Sequence, residues 1–338
     1  AFQSLWSTAT VLDQAWLDAY AARPAPVDLF LPEDGPVGTP PPPHPLQQAA
    51  LAALAAARAE GRTRALVVLA TGLGKTWLAV YDVAAFAAAR AAAGAAPPRV
   101  LFLAHQELLL RQAEGAFRAL LATEPPGFAA HTRLSRFVAG RGDLDADLVF
   151  ASVQRLSRAQ HLQALAERRF DYVIVDEAHH AHAESYRAVL ARLSGAFLLG
   201  LTATPERADL GDIGELFGPP LFRAGLGTGI DRGLLAPFAY YGVADRVDWR
   251  ALPFRDGDFA PDALDAALRS DERMGPLHDA LALHQGKRTI FFCASIAHAD
   301  FVRAWLAGRG VSAADAQDFL EPTLKRPEPP GMSFEYCG

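Results

Sequence analysis

Thr71-Gly72-Leu73-Gly74-Lys75-Thr76 places two glycines, an amine and a hydroxyl in an order suited to holding phosphate. The aliphatic run Leu66 to Leu69 reads as a buried strand leading into this turn, and Lys75-Thr76 opens a helix whose apolar residues include Leu78 and Val80. A strand, a glycine turn and a helix N-terminus make a nest of backbone N–H groups that binds phosphate. Lys75 would reach the β- and γ-phosphates, and the Thr76 hydroxyl would hold Mg²⁺. The strict spacing G-x-x-x-x-G-K-[ST] departs at one place, where Leu69 stands for the first glycine. The competing explanation is an ordinary glycine turn with a helix-capping threonine.

A second group lies a hundred residues on. Asp176-Glu177 follows the apolar run Phe170 to Val175 and precedes His179. Hydrolysing ATP needs a phosphate cradle, a magnesium ion, a base for water and stabilisation of developing charge. Thr76 and Asp176 can hold the Mg²⁺, and Glu177 can polarise the attacking water. An isolated Asp-Glu pair is also favoured at a helix N-terminus by the dipole. His179 is expected to relay the nucleotide state to Thr202 and Thr204 by hydrogen bonds. His179, His180 and His182 lack the spacing of a zinc-binding helix. Gln47, at the start of a helix ahead of the phosphate loop, can offer its amide to the N6/N7 edge of adenine, with Gln48 the alternative. A solvated glutamine at a helix start explains either equally well.

The elements that must position these groups can be read in order. Pro45 opens an alanine-rich helix to about Arg58. A helix runs from Thr76 to about Arg90, and strands are expected at Arg99–Ala104, Leu148–Ala151, Phe170–Val175 and Ala196–Leu201. Short apolar runs alternating with helical stretches mark a parallel α/β sheet, and the polar clusters all sit just past strand ends, where open sheets bind ligands. Beyond Gly225 a strand is expected through Tyr240-Tyr241, helices at Asp262–Leu268 and Arg273–His284, then a buried strand Arg288–Cys293 and a helix Ala297–Leu306. The expected organisation is 1–44 N-terminal helices and a Pro-rich linker, 45–225 a first domain, 226–286 a connecting segment, 287–314 the start of a second domain, and 315–338 an irregular tail.

Composition narrows the class. The 338 residues are 51% hydrophobic and 21% charged, which suits a packed globular protein of about two domains. No run is long and apolar enough to span a membrane. Without a secretory signal, and with only Cys293 and Cys337, the chain suits a reducing cytoplasm and excludes a disulfide framework. A net charge of -6 argues against a passive nucleic-acid coat and is compatible with a motor that keeps a local basic groove. The first residue is Ala1 and the first methionine Met274, so a fragment or processed product of a longer chain is expected.

Ala70–Thr76, Asp176–His179 and Thr202–Pro205 together resemble the DEAD/DEAH-type superfamily 2 helicases, in the order and context of that family. Ala104–Leu109 resembles their motif Ia, Ser152–Leu156 motif Ic, and Ile290–Ser295 motif IV. The Thr-Ala-Thr-Pro-Glu-Arg form resembles the DNA-acting, restriction-subunit-like branch. Phe2–Trp6, Arg64–Val83, Asp171–Thr204 and Arg232–Tyr241 also resemble bacterial proteins that join a phospholipase-D-like nuclease to such a helicase. The resemblance implies a RecA-like parallel sheet flanked by helices, plus an incomplete second RecA-like lobe. It implies ATP and Mg²⁺ as cofactors, DNA more than RNA as partner, and a nuclease domain upstream in the parent. Thr71, Gly72, Leu73, Gly74, Lys75 and Thr76 would cradle the nucleotide, with Lys75, Asp176, Glu177 and His179 catalytic. His105, Gln106, Ser152, Gln154 and Arg155 would meet the nucleic-acid backbone, with Arg111, Arg133, Arg136 and Arg158 adding local positive charge. The family's motifs V and VI are not found after Ala314. Motif VI carries an arginine finger, whose loss costs on the order of 10³–10⁵ in rate. The chain is therefore expected to bind nucleotide weakly and turn it over poorly, its full-length parent being the active motor. A non-catalytic nucleotide-dependent DNA-binding module and a phosphate-loop ATPase of another class remain open alternatives.

Overall fold

In the strands that carry the chemistry nearly every residue is apolar, so both faces of the sheet must be covered, as parallel sheets require. The computed structural model shows that arrangement. It describes residues 39–311 apart from 129–131, 139–141, 182–183, 204–209, 241, 243–247, 256–257 and 284–288. The expected N-terminal helices, the tail after 314, and Thr204, Pro205, His182, Tyr241 and Arg288 lie outside the described residues. Two compact units divide at Pro237/Phe238.

In the first unit the elements run α1 (Pro45–Ala59), β1 (Arg64–Leu69), α2 (Lys75–Ala92), β2 (Val100–Ala104), α3 (Glu107–Leu121), β3 (Leu134–Phe137) and β4 (Leu148–Ser152). They continue with the single turn α4 (Val153–Leu156), then α5 (Ala159–Ala166), β5 (Tyr172–Val175), α6 (Glu184–Leu190), β6 (Phe197–Thr202), α7 (Leu210–Phe217), β7 (Pro220–Ala224) and α8 (Leu226–Asp231). The seven strands form one sheet in the order β3-β4-β2-β5-β6-β1-β7, every pair parallel. The fold is therefore the α/β, RecA-like layering the sequence implied. Alternate residues feed opposite faces. Val67, Leu69, Phe102, Ile174 and Leu201 pack with Leu54, Leu78 and Phe117 on the face covered by α1, α2 and α3. Leu66, Val68, Leu103, Val173 and Val175 pack with Leu156, Leu165, Tyr186 and Phe217 on the other. Among the described residues no helix is long and apolar enough to cross a membrane.

The strands' N-terminal ends are tied together by buried polar contacts. The Arg58 guanidinium forks onto Asp82 at 2.5 and 2.8 Å, and the Tyr172 hydroxyl donates to the same carboxylate. Asp82 and Tyr172 are fully buried, and Arg58 also lies 5.2 Å from the centroid of the Phe197 ring. Arg99 donates to the carbonyls of Arg169 and Leu144 at 3.1 and 2.7 Å, while its own amide donates to Asp171 Oδ2 at 2.9 Å. These contacts satisfy groups that would be costly to bury alone.

The second unit holds a short antiparallel pair, β8 (Phe254–Arg255) and β9 (Asp258–Phe259), followed by α9 (Pro261–Leu268), α10 (Asp271–Leu283) and α11 (Ile296–Ala307). Its core is small: Met274, Val302 and Leu306. Ser295 caps α11, accepting from His298 N at 2.9 Å. The strand expected over Arg288–Cys293 is absent from 289–293, and Ile290 and Phe292 stand 79% and 95% exposed. An apolar run becomes a buried strand only beside a partner ladder, and no other strand pairs with this segment among the described residues. Tyr240 likewise lies outside any strand, 67% exposed.

Candidate functional site

The sheet order sets the site. β1 ends in the glycine loop 71–76 and β5 in Asp176-Glu177, with β6 lying between β5 and β1. All three therefore deliver their polar residues to one edge. Gly74 caps α2 with φ 70 and ψ 47, and Gly72 has φ +87. Both are left-handed conformations that favour glycine. The first helical amides have no intrahelical partner; Leu78 N is the first to find one, at Gly74 O, 3.0 Å. Leu73 differs from the expectation. Its amide donates to Ala70 O at 3.1 Å and its side chain is buried, because the turn folds it into the core.

Gln47 is placed differently too. It is 4% exposed; its Nε2 donates to Gly74 O at 3.0 Å and its Oε1 accepts from His44 N at 3.0 Å. The amide that the sequence offers to adenine is here bonded to the glycine loop. The alternative, Gln48, is exposed and bonded to Pro43 O at 2.9 Å. His44, not singled out in the sequence, accepts from Gln47 N at 3.3 Å through Nδ1, which leaves Nε2–H to donate to Leu73 O at 3.1 Å. A polar residue before Pro45 with glutamine three residues on is a capping-box signal. Its second bond, to the loop, is not local and leaves no such trace.

Across from the loop, Glu177 turns the chain with φ 49 and ψ 54, a strained setting for a residue with a side chain. Its Oε1 lies 3.4 Å from Lys75 Nζ, and its Oε2 lies 3.3 Å from His179 Nδ1. The same His179 nitrogen lies 3.1 Å from Thr202 Oγ1, so one ring N–H is shared between a carboxylate and a hydroxyl. Thr202 is fully buried; its expected companion Thr204 lies outside the described residues. Asp176 accepts from the Glu177 amide at 3.0 Å.

The two carboxylates are driven apart. Burial, helped by the neighbouring Glu177 charge, pushes Asp176 up to about 6 despite Lys75. Burial also works to raise Glu177, but the His179 hydrogen bond and the Lys75 charge win and bring it down to about 2. Two adjacent acids with opposite shifts are a mark of functional sites. The Tyr186 hydroxyl on α6 is buried without a hydrogen-bond partner among the described residues, in the field of both acids. No sequence signal pointed to it.

The expected nucleic-acid residues share the same edge. β2 and β4 are neighbours, with Ala104 opposite Ser152, so His105 and Gln106 stand beside Ser152, Gln154 and Arg155. Gln106 and Gln154 are exposed, and the Ser152 hydroxyl donates to Gln154 Oε1 at 2.7 Å. Burial lowers the His105 imidazole against the pull of the Glu177 charge, which places it between this face and the acids. Arg155 lies 4.3 Å from the centroid of the Phe137 ring, and its Nε is buried with no partner among the described residues. The other arginines carry less free charge than their number implies. Arg111 pairs with Glu107 at 3.1 Å, Arg133 with Asp143 at 3.3 Å and Arg136 with Glu114 at 2.9 Å.

Residues 41–207 match the family described as type III restriction enzyme, res subunit. The chain is 27% identical over 263 residues to the type I restriction enzyme EcoAI endonuclease subunit of Escherichia coli, covering 72% of this chain and 31% of that protein. It is 26% identical over 179 residues to a Saccharomyces cerevisiae protein described as ATP-dependent helicase IRC3, covering 51% of this chain and 25% of that one. A solved fragment assigned as the HsdR subunit of a type I restriction enzyme from Vibrio vulnificus YJ016 is 25% identical, with a TM-score of 0.52, over 79% of this chain and 45% of that chain. The chain thus spans about a third or less of the length of the curated relatives it matches. The family match over residues 41–207, the restriction-subunit relatives and the parallel sheet together support a superfamily 2 helicase domain of the restriction-subunit type.

Proposed function

We propose that the first unit binds ATP with Mg²⁺ and serves as the nucleotide-hydrolysing half of a DNA helicase or translocase. The observation that carries this reading is the approach of Lys75 to Glu177, 3.4 Å apart across a glycine loop. Without nucleotide the Lys75 ammonium has a carboxylate for company. A triphosphate would offer it a denser negative charge, and Glu177 would then be released toward water. Lys75 helps to hold Glu177 low, so its departure toward phosphate would make Glu177 a stronger base toward that water. His179 orients Glu177 through their shared contact and reaches Thr202 at the end of β6, a route by which the site's state can spread along the sheet edge. Thr76 and Asp176 would hold Mg²⁺, which neutralises charge on the outer phosphates. Burial and the Glu177 charge disfavour the Asp176 carboxylate, and a bound cation would favour it. In this reading Gln47 moves from Gly74 O to adenine when the base arrives.

DNA is the proposed partner because the relatives named above include a restriction endonuclease subunit. His105, Gln106, Ser152 and Gln154 would meet its backbone without reading sequence. An upstream nuclease domain and movement along the strand are proposed on the resemblance alone, and a cytoplasmic setting on the scarcity of cysteine. The test is ATP turnover and nucleotide affinity of the chain and of Lys75→Ala, each with and without duplex DNA. Wild-type binding that Lys75→Ala loses supports the reading; equal affinity in both overturns it. Binding without DNA-stimulated turnover in the wild type favours the non-catalytic module.

A further inference from the structure

The stretch after α8 has no part in the reading above, yet it touches the phosphate loop. The amides of Leu234 and Leu235 both donate to Gly229 O, at 2.9 and 3.1 Å. This turn throws the Leu235 side chain back across α8. A β-carbon placed on Gly229 would lie 2.5 Å from Leu235 Cδ1 and 3.1 Å from Leu73 Cδ2. A β-carbon on Gly72 would lie 2.8 Å from Leu235 Cδ2. One methyl group of Leu235 is thus seated on a glycine of the phosphate loop and the other on a glycine of α8. Neither glycine could carry a side chain with Leu235 in place. Gly72 also holds φ +87, a conformation that a free glycine leaves readily because it has so many others.

We propose that Leu235 is a positioning residue for the phosphate loop: it clamps the Gly72–Leu73 peptide in the anion-binding turn before nucleotide arrives. The inference rests on the reading of residues 71–76 as a nucleotide-phosphate loop. A side chain packed against Gly72 removes alternative backbone states of the loop, so less ordering remains to be done on binding. If the clamp's loss lowers the competent loop population to one tenth, apparent affinity falls ten-fold. Leu235 also stands two residues before Pro237, the last residue of the first unit.

The test compares the 338-residue chain with Leu235→Ala and Leu235→Met. Affinity for a non-hydrolysable ATP analogue with Mg²⁺ is measured by calorimetry, and amide exchange at 72–74 is measured without nucleotide. The clamp predicts that Leu235→Ala binds about ten-fold more weakly and exchanges faster at 72–74 than elsewhere in the sheet. Leu235→Met, which keeps length and apolarity, restores both to within about two-fold. A merely structural role would lower melting temperature and raise exchange evenly across the core, and that outcome overturns the proposal. So does wild-type affinity in Leu235→Ala. Leu235→Val, which shortens the side chain more gently, takes its place if the alanine variant does not fold. A wild type that fails to bind nucleotide removes the functional reading, whereas the exchange measurement still decides the clamp.

Discussion

The two ends of the sheet are built from the same kinds of residue and used in opposite ways. At the strands' N-terminal end, the partly buried Arg58 forks onto the buried Asp82, which also accepts from the buried Tyr172 hydroxyl. At the C-terminal end, Lys75, Asp176 and Glu177 are only loosely matched. The cation stands 3.4 Å from one acid, Glu177 occupies a left-handed turn, and Asp176 is buried with its carboxyl pushed up to about 6. The first arrangement resists change. The second is held short of satisfaction, which suits a place where a highly charged ligand must be accepted and released.

That contrast can be broken from either side. The largest effect is expected at Glu177. Glu177→Gln should retain nucleotide binding while lowering turnover by about 10²–10⁴; preserved turnover would remove Glu177 from the role of base. Asp82→Ala should do the reverse. Stranding the partly buried Arg58 and the Tyr172 hydroxyl should cost about 3–5 kcal/mol by urea denaturation, with nucleotide affinity per folded molecule unchanged. A loss of affinity without loss of stability would show that the lower end of the sheet is also part of the site.

A smaller effect sharpens the account of Asp176. Its folded value of about 6 lies above the ordinary aspartate value of about 4, so between those pH values the folded protein keeps a proton that the unfolded chain has lost. Stability must then fall as pH rises through this window and recover on acidification. Glu177 moves oppositely, to about 2. Its contribution is present above the ordinary glutamate value and is lost only as pH falls toward 2, so it stays constant between pH 7 and 5. Metal- and nucleotide-free protein should gain on the order of 1 kcal/mol, or about 2–4 °C in Tm, from pH 7 to 5 relative to Asp176→Asn. Identical pH profiles for the two would refute the assignment. The smallest effect is expected at Gln154: Gln154→Ala should weaken duplex DNA binding by about two- to five-fold, an ordinary single-hydrogen-bond loss, with Tm unchanged.

Legibility followed the same division. β1, β2, β4, β5 and β6 announce themselves as apolar runs ending in polar clusters, because central parallel strands are buried on both faces. β3 (Leu-Ser-Arg-Phe) and β7 (Pro-Leu-Phe-Arg-Ala) were missed. They are the edges of the sheet, where a proline or an arginine costs little. Arg288–Cys293 erred the other way, since an apolar run records what a segment could bury and not whether a neighbour is there. Lys75, Asp176, Glu177 and His179 were readable because their neighbours in sequence fix their conformation. The inward turn of Leu73, the Gln47–Gly74 bond, and the roles of His44 and Leu235 were not, because each depends on a partner far along the chain.

The position of β1 between β6 and β7 has a consequence for synthesis. The glycine loop is encoded near the beginning of the described residues, but both ladders that hold its strand come from residues 198–202 and 220–224. A nascent chain on the ribosome carries the loop's residues long before it can shape them. Such long-range parallel pairing is slow to form, and an unpaired apolar strand in the meantime is a hazard for aggregation. The glycine loop is thus written well before the strands that shape it, and its final form depends on Ala224 leaving the tunnel.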